Sequence, residues 1–208
     1  MGTDTLVEDI YRMMETNEVP EGVNIGETCD QMGKNLSEIL KKKFTEKRDN
    51  RRLRLSQVGK PDRQQWHIMQ GTESEEKLQG HTHIKFLYGY LIEEMLVALT
   101  KLSGHEVTDQ QKYCEVAGVS GSMDCRIDGI VTDVKSTSTY AFKKFKDGTL
   151  AWSDAFGYVD QLKAYAHSEG ERKFGWLAMD KQNGHLTYLM YDLDDTEAPV
   201  YKTICGDI

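Results

Sequence analysis

Apolar residues recur at helical spacing through the first fifty positions. Leu6, Ile10, Met13 and Met14 share one face of a helix over residues 4–17, and Met32, Leu36, Ile39, Leu40 and Phe44 mark a second over 29–50. Between them "EVPEGVNIGET" (18–28) carries Pro20, Gly22 and Gly26 and reads as a loop. A short helix begins at Ser56 or at Lys60-Pro61 and ends at Gly71, and the polar "TESEEKLQGHT" that follows is a loop. In "HIKFLYGYLIEEMLVALTKLSGHEV" about 20 residues are apolar on nearly every face, which predicts a helix buried inside the domain and closed by Gly104. The pattern then changes to strands over 105–117, 119–127 and 130–137, followed by a loop. A helix over 154–168 has Asp154 as its cap and Gly170 beyond its end. "KFGWLAMDK" and "LTYLMYDL" are two more strands, with Asn183-Gly184 as the hairpin signal between them. Helices, then strands, a helix and strands predict an α/β domain with a central mixed sheet flanked by helices. The expected division is an N-terminal helical arm or cap over 1–50 and the main domain over 51–208.

Composition narrows the class. With 208 residues at 38% hydrophobic, the chain can bury one core of moderate size. No apolar run approaches the roughly 18 residues that span a bilayer, and the acidic start lacks a signal-peptide pattern. A cytoplasmic protein without a membrane partner is expected. Four scattered cysteines form no C-x-x-C pair, which argues against a zinc ribbon.

The net charge of −8 is unevenly spread. "KKKFTEKRDNRRLRLSQVGKPDR" (41–63) holds ten Lys/Arg against Glu46, Asp49 and Asp62, and "FKKFK" (142–146) is a second basic cluster. Acidic excess sits in the first 30 residues and in "YDLDDTE". Such a distribution suits contact with a polyanion over a limited footprint; a solvated helix face is the plain alternative.

The candidate chemistry lies in "GSMDCRIDGIVTDVKST" (121–137). Asp128-Gly129 is a two-residue hairpin turn. Counting outward pairs Ile127 with Ile130, Arg126 with Val131, Cys125 with Thr132, and Asp124 with Asp133. Opposed residues share a face at about 4.5–5.5 Å, and Lys135, two residues on, joins them. Two carboxylates facing each other among Ile130, Val131 and Val134 repel, and a divalent cation relieves the repulsion. Hard oxygen ligands select Mg2+ or Mn2+. An ammonium beside a metal-activated water suits hydrolysis of a phosphodiester. Asp128 itself is structural. A surface salt bridge is the competing account of Asp124, Asp133 and Lys135, and plain surface positions are expected for the histidines.

"GSMD" (121–124) with "DVK" (133–135) resembles the PD-(D/E)XK nuclease signature. "GYLIEE" resembles the glycine–acid helix motif of the RecB-type and lambda-exonuclease-like branches, with Gly89 as the glycine and Glu93, rather than Glu94, as the acid. "QLKAY" is similar to the Q-x-x-x-Y motif, giving Gln161 and Tyr165, and "LSQVGKPDRQQW" resembles the segment these nucleases carry ahead of the helix. The resemblance spans about 55 to 190 and implies a restriction-endonuclease-like core. It implies a metal held by Glu93, Asp124, Asp133 and the Val134 carbonyl, with Lys135, Gln161 and Tyr165 completing the catalytic set. Iron–sulfur relatives carry one early and three C-terminal cysteines, whereas here Asp62 occupies the early region and Cys205 alone lies near the C-terminus, so no cluster is expected. Lys143, Lys144, Lys146, Arg51, Arg52, Arg54 and Arg63 are the expected DNA contacts. Trp66, Phe142, Phe145 and Trp152 are candidates for stacking on an unpaired base. The activity implied is a metal-dependent DNA exonuclease, phage-encoded and acting in recombination, replication or DNA degradation, with DNA and a recombination or replication protein as partners. The alternatives are a structure- or sequence-specific endonuclease and an inactive DNA-binding accessory protein.

Overall fold

Asp128 adopts φ +48° and Gly129 φ +83°, both in the left-handed region that a tight two-residue turn requires. The turn joins β4 (Cys125–Ile127) to β5 (Ile130–Thr137), and the pairs Ile127–Ile130, Arg126–Val131 and Cys125–Thr132 form as the sequence predicts. In this computed structural model, which describes residues 2–45, 52–72 and 78–193, the hairpin sits at the centre of a five-stranded sheet. The sheet includes β1 (Val107–Thr108), β6 (Lys173–Asp180) and β7 (Leu186–Asp192), in the order β1-β4-β5-β6-β7. β5 and β6 run parallel and the other neighbours antiparallel, so the sheet is mixed. The parallel pair needs a crossover, which α5 (Thr139–Lys146) and α6 (Tyr158–Ser168) supply.

Alternation along β5 divides its side chains between two cores. Val131 joins Phe174, Trp176 and Ala178 in a core closed by Phe142 and Phe145 of α5 and by Leu162 and Tyr165 of α6. Val134 faces the other way, with Leu177, Cys125 and Ile127, against Ile92 and Leu96 of α4 (Gly80–Leu102). Leu6 and Ile10 of α1 (Leu6–Thr16) complete that second core, and α2 (Ile25–Thr45) packs on α4. The expected α/β class, with a central mixed sheet flanked by helices and preceded by an N-terminal helix, is what the chain forms.

Several local expectations are corrected. The single strand over 119–127 breaks at Met123-Asp124: β3 (Val119–Ser122) pairs with β2 (Tyr113–Val116) in a separate two-stranded sheet, and only Cys125 onward joins the main one. The span 105–117 likewise divides, into β1 and β2. "FKKFK" is not a loop but part of α5, which starts at an N-cap Ser138 accepting the Ala141 N–H and buries Phe142 and Phe145. α4 is buried only over its second half; Ile84, Phe86, Tyr88 and Leu91 are exposed. α2 starts earlier than the expected 29, and residues 46–50 of that prediction lie outside the described residues.

His105 is not a surface residue. Its side chain is fully buried, with Nδ1 2.7 Å from Asp128 Oδ2 and Nε2 3.2 Å from Asp9 Oδ2. Thr5 and Arg12 also hold Asp9, and the Glu106 N–H donates to Asp128 Oδ1. The imidazole therefore ties α1 to the hairpin turn that sets the register of β4 and β5. Replacing it by an apolar residue leaves two buried carboxylates short of a partner. His105→Leu is expected to cost about 3 kcal/mol in urea unfolding, whereas the exposed His185→Leu costs little.

A second contact fixes the start of α6. Gly59, in the loop before α3 (Asp62–Met69), lies so close to Gly157 that a Cβ on Gly59 would stand 2.2 Å from the Gly157 Cα. Leu55 and Val58 anchor the loop in the core, and Gln65 Nε2 donates to the Val58 and Lys60 carbonyls at 2.6 Å each. Gly59→Ala is expected to lose about 2 kcal/mol or more in the same urea measurement, because backbone rather than a pliable side chain has to move.

Candidate active site

Asp133 and Lys135 alternate on the face of β5 that looks toward α6. Asp124 reaches them differently from the simple extrapolation of the hairpin. β4 ends at Cys125, so no ladder pair joins Asp124 to Asp133; instead Asp124 Oδ2 accepts the Val134 N–H at 2.9 Å. The hydrogen bond lays this carboxylate on β5 between Asp133 and Lys135. Lys135 Nζ stands 2.6 Å from Asp133 Oδ2. Asp133 is buried, so the ammonium meets its Oδ2 away from water. Gln161 Nε2, from α6, donates to Asp133 Oδ1 at 3.3 Å.

α4 brings the third acid. Gly89 crosses over β5, where a Cβ would lie 3.9 Å from Ser136 Oγ. Glu93 is one turn further on the same helix face, within electrostatic reach of Asp133 and Lys135. Glu94 is buried toward α2, where Asn35 Nδ2 donates to its Oε2 at 2.9 Å. The helix thus turns Glu93 to the site and Glu94 away from it.

The charges are strongly interdependent. Burial pushes the Asp124 carboxyl well above the usual carboxylate range, and Asp133 and Glu93 push it the same way. Burial and then the Asp133 charge lift Glu93 to about 7, against the opposing pull of Lys135. For Lys135 burial works against the ammonium, but Asp133 and Asp124 outweigh it and hold its pKa above the ordinary value. Lys135 is therefore a cation throughout the neutral range and balances the carboxylates; it is not a free base.

Two residues that sequence reasoning missed complete the arrangement. The Lys135 ammonium lies 5.0 Å from the ring centroid of Tyr158, a cation–π distance. Tyr158 precedes Gln161 by three residues and so shares its helix face, which is a signal the sequence did carry. Gln111 Nε2 donates to Glu93 Oε1 at 2.8 Å, while its backbone N–H donates to the Asp124 carbonyl at 3.0 Å. Nothing in the sequence around Gln111 marks it; its φ of +54° reflects a turn that only the folded sheet imposes.

Tyr165 is brought near but not into the cluster. It is buried in the core, with its hydroxyl 2.6 Å from the position a Cβ on Gly121 would occupy, so it packs against β3. Lys143 and Lys146 are exposed on α5, whereas Lys144 donates to the Ser153 carbonyl at 2.8 Å and lies over the Tyr140 ring. Arg52 and Arg63 are exposed and Arg54 is half-buried beside Ser120; Arg51 lies outside the described residues. Of the four stacking candidates, Phe142 and Phe145 are core, and Trp66 and Trp152 are exposed.

Among the described residues, no three carboxylate, imidazole or thiol side chains are gathered into a ready-made metal site. The concave surfaces beside Asn35 and Glu94 and beside Val7 and Tyr188 contain neither Asp124 nor Asp133. The donors of the candidate site fit a hard cation in kind: they are all oxygens, and burial with the neighbouring Asp133 and Glu93 charges leaves the Asp124 carboxyl short of positive charge. Among the described residues, no helix is long and apolar enough to cross a membrane.

The fold has a known counterpart. It is shared with a solved exonuclease. The alkaline exonuclease LHK-Exo from Laribacter hongkongensis superposes with a TM-score of 0.50 at 16% identity, over 76% of this chain and 88% of that one. SSO0001, another solved structure, matches with a TM-score of 0.42 at 14% identity over 85% of each chain. No protein-family profile and no curated protein sequence matches the chain. At 16% identity the likeness to LHK-Exo shows a shared fold, and the chemistry has to be argued from the side chains.

The raised Glu93 pKa has a consequence for stability. In the metal-free protein the folded state keeps this proton up to about pH 7, while the unfolded chain releases it near the ordinary value of 4.5. Stability is therefore present below pH 4.5 and is lost as pH rises toward 7. The loss is on the order of 2 kcal/mol, discounted for partial exposure. Urea melts in EDTA at pH 5 and pH 8 are expected to show it, and Glu93→Gln is expected to reduce the dependence while leaving the part due to the raised Asp124 carboxyl.

Proposed function

We propose that this chain is a divalent-metal-dependent DNA exonuclease of the PD-(D/E)XK type. The observation that carries the reading is the convergence of Asp124, Asp133 and Lys135 on one strand, in a fold shared with an alkaline exonuclease. Glu93, Asp124, Asp133 and the Val134 carbonyl would hold Mg2+ or Mn2+. When bound, such an ion lowers the pKa of a water and polarises a phosphoryl oxygen. With that ion in place the carboxylates would no longer depend on Lys135 for their balancing charge. The Lys135 ammonium then orients the attacking water and stabilises charge as it develops on phosphorus-bound oxygen. Gln161 keeps Asp133 in place through Oδ1, and Tyr158 keeps the ammonium on the α6 side of the strand. Tyr165 acts through its packing on β3 and supports Gly121 and Asp124 from behind.

Of the expected DNA contacts Lys143, Lys146, Arg52 and Arg63 are exposed and are assigned to phosphates, with Lys144, Arg54 and Arg51 as further candidates; such contacts position the strand without reading sequence. The finer assignment rests on the motif residues Gly89, Glu93, Gln161 and Tyr165: a phage-type enzyme of the RecB or lambda-exonuclease-like branch, without an iron–sulfur cluster. It works on DNA in the host cytoplasm during recombination, replication or DNA breakdown, in concert with a recombination or replication protein.

The test is hydrolysis of end-labelled linear DNA beside covalently closed circles. With Mg2+ the linear substrate is expected to be digested and the circle spared; EDTA stops digestion. Lys135→Ala and Asp133→Ala are each expected to reduce the rate by at least about 100-fold while the folded content is unchanged. Equal cleavage of the circle would replace the exonuclease with an endonuclease. Undiminished activity of both variants would remove the site from the reaction.

A further inference from the structure

The Tyr158 ring that lies by the Lys135 ammonium is also stacked on Phe156, with centroids 5.4 Å apart and planes inclined by 24°. Phe156 is 65% exposed. A line of aromatic surface therefore runs from the ammonium of the site outward to solvent, through Tyr158 and then Phe156. Large apolar side chains are common on protein surfaces and need no explanation singly. This one is unusual in how firmly it is held.

The segment that carries it cannot easily fold the ring away. Asp154 accepts the Phe156 N–H at 3.1 Å and the Val159 N–H at 2.7 Å, clamping both sides of the turn. Gly157 between them has φ +74° and is pressed against Gly59. Upstream, the Ser153 carbonyl is tied to Lys144, and the Ala151 N–H donates to the Tyr191 hydroxyl at 3.3 Å. A rigid aromatic on a braced turn binds without a large ordering cost. Trp152, 89% exposed, lies on the same connection.

We propose that Phe156, backed by Tyr158, is a stacking platform for an unpaired nucleobase next to the scissile phosphate. This rests on the nuclease reading of the site, and it specifies the substrate. A base in a duplex has its faces covered by its neighbours, so the platform accepts a single strand or a frayed end. The base stacks on Phe156 while its own phosphate is directed toward Lys135 and the carboxylates. Stacking is tolerant of sequence because every base has a π-face, so the platform selects strandedness and not sequence. Phe156 is a positioning residue; the reacting atoms are held elsewhere.

The probes are single-stranded oligodeoxynucleotides with 2-aminopurine at the 5′ or the 3′ terminal position, mixed with the full chain in Ca2+ and then in Mg2+. In Ca2+, binding by the unmodified protein is expected to quench one of the two probes. Phe156→Ala is expected to abolish that quench and to weaken binding about tenfold, with an unchanged melting temperature; Phe156→Trp is expected to retain both. An oligonucleotide with an abasic site at the quenched position should bind both proteins equally weakly, a non-additivity that a purely structural Phe156 does not produce. In Mg2+, Phe156→Ala is expected to lower activity on single strands with the effect in KM. If Phe156→Ala binds and quenches like the unmodified protein, the platform is refuted, and continued digestion in Mg2+ would leave the nuclease reading standing. If the quench depends on Phe156 but Mg2+ brings no digestion, the platform stands and the nuclease reading falls. Absence of both binding and digestion overturns both.

Discussion

Two carboxylates on adjacent backbone segments, largely withdrawn from water, repel each other strongly, and the site follows from how the chain tolerates that repulsion. Asp124 is held by the Val134 N–H, Asp133 by Gln161, and the Lys135 ammonium supplies an opposite charge at ion-pair distance from Asp133. Neutralisation is incomplete: burial and mutual repulsion still push the carboxyls of Asp124 and Glu93 upward. A protein that served only stability would do better with apolar residues here, since buried charge is rarely a net gain. On the proposed nuclease reading, the unbalanced charge would be relieved by a cation bound together with a phosphate.

The surrounding elements are arranged to hold that cluster still. β5 is central, with β4 on one side and the parallel β6 on the other. Gly89 lets α4 pass close enough for Glu93 to act on β5, and the opposite face of the same strand is locked into the second core by Val134. His105 braces the hairpin turn from below, joining Asp128 to Asp9 of α1. The turn residue that sets the register is thus itself fixed by a long-range contact, which couples the N-terminal helix to the placement of the carboxylates.

Much of this was legible from local chemistry. Asp128-Gly129 dictated the register of β4 and β5, and with it the shared face of Asp133 and Lys135. The mixed sheet followed from the order of periodicities. What escaped the sequence was set by tertiary structure. A one-residue departure at Asp124, where the chain passes from one sheet to another, replaces a ladder pair by a side-chain-to-backbone bond. α5 is short, and its two buried phenylalanines are masked by the lysines between and beside them. His105 looked like an element end because its partners are 96 and 23 residues away. Gln111 has no motif at all, and Tyr158 was overlooked because the pattern Q-x-x-x-Y draws attention to the residues after Gln161.

The central claim is that Asp124, Asp133 and Glu93 jointly take up a divalent ion. Calorimetric titration of the metal-free protein with Mn2+ tests it most directly. The account predicts saturable binding of one or two ions, lost in Asp124→Asn and Asp133→Asn and weakened in Glu93→Gln, while Glu94→Gln binds normally. Mn2+ binding that is absent, or equally strong in all four variants, would contradict it.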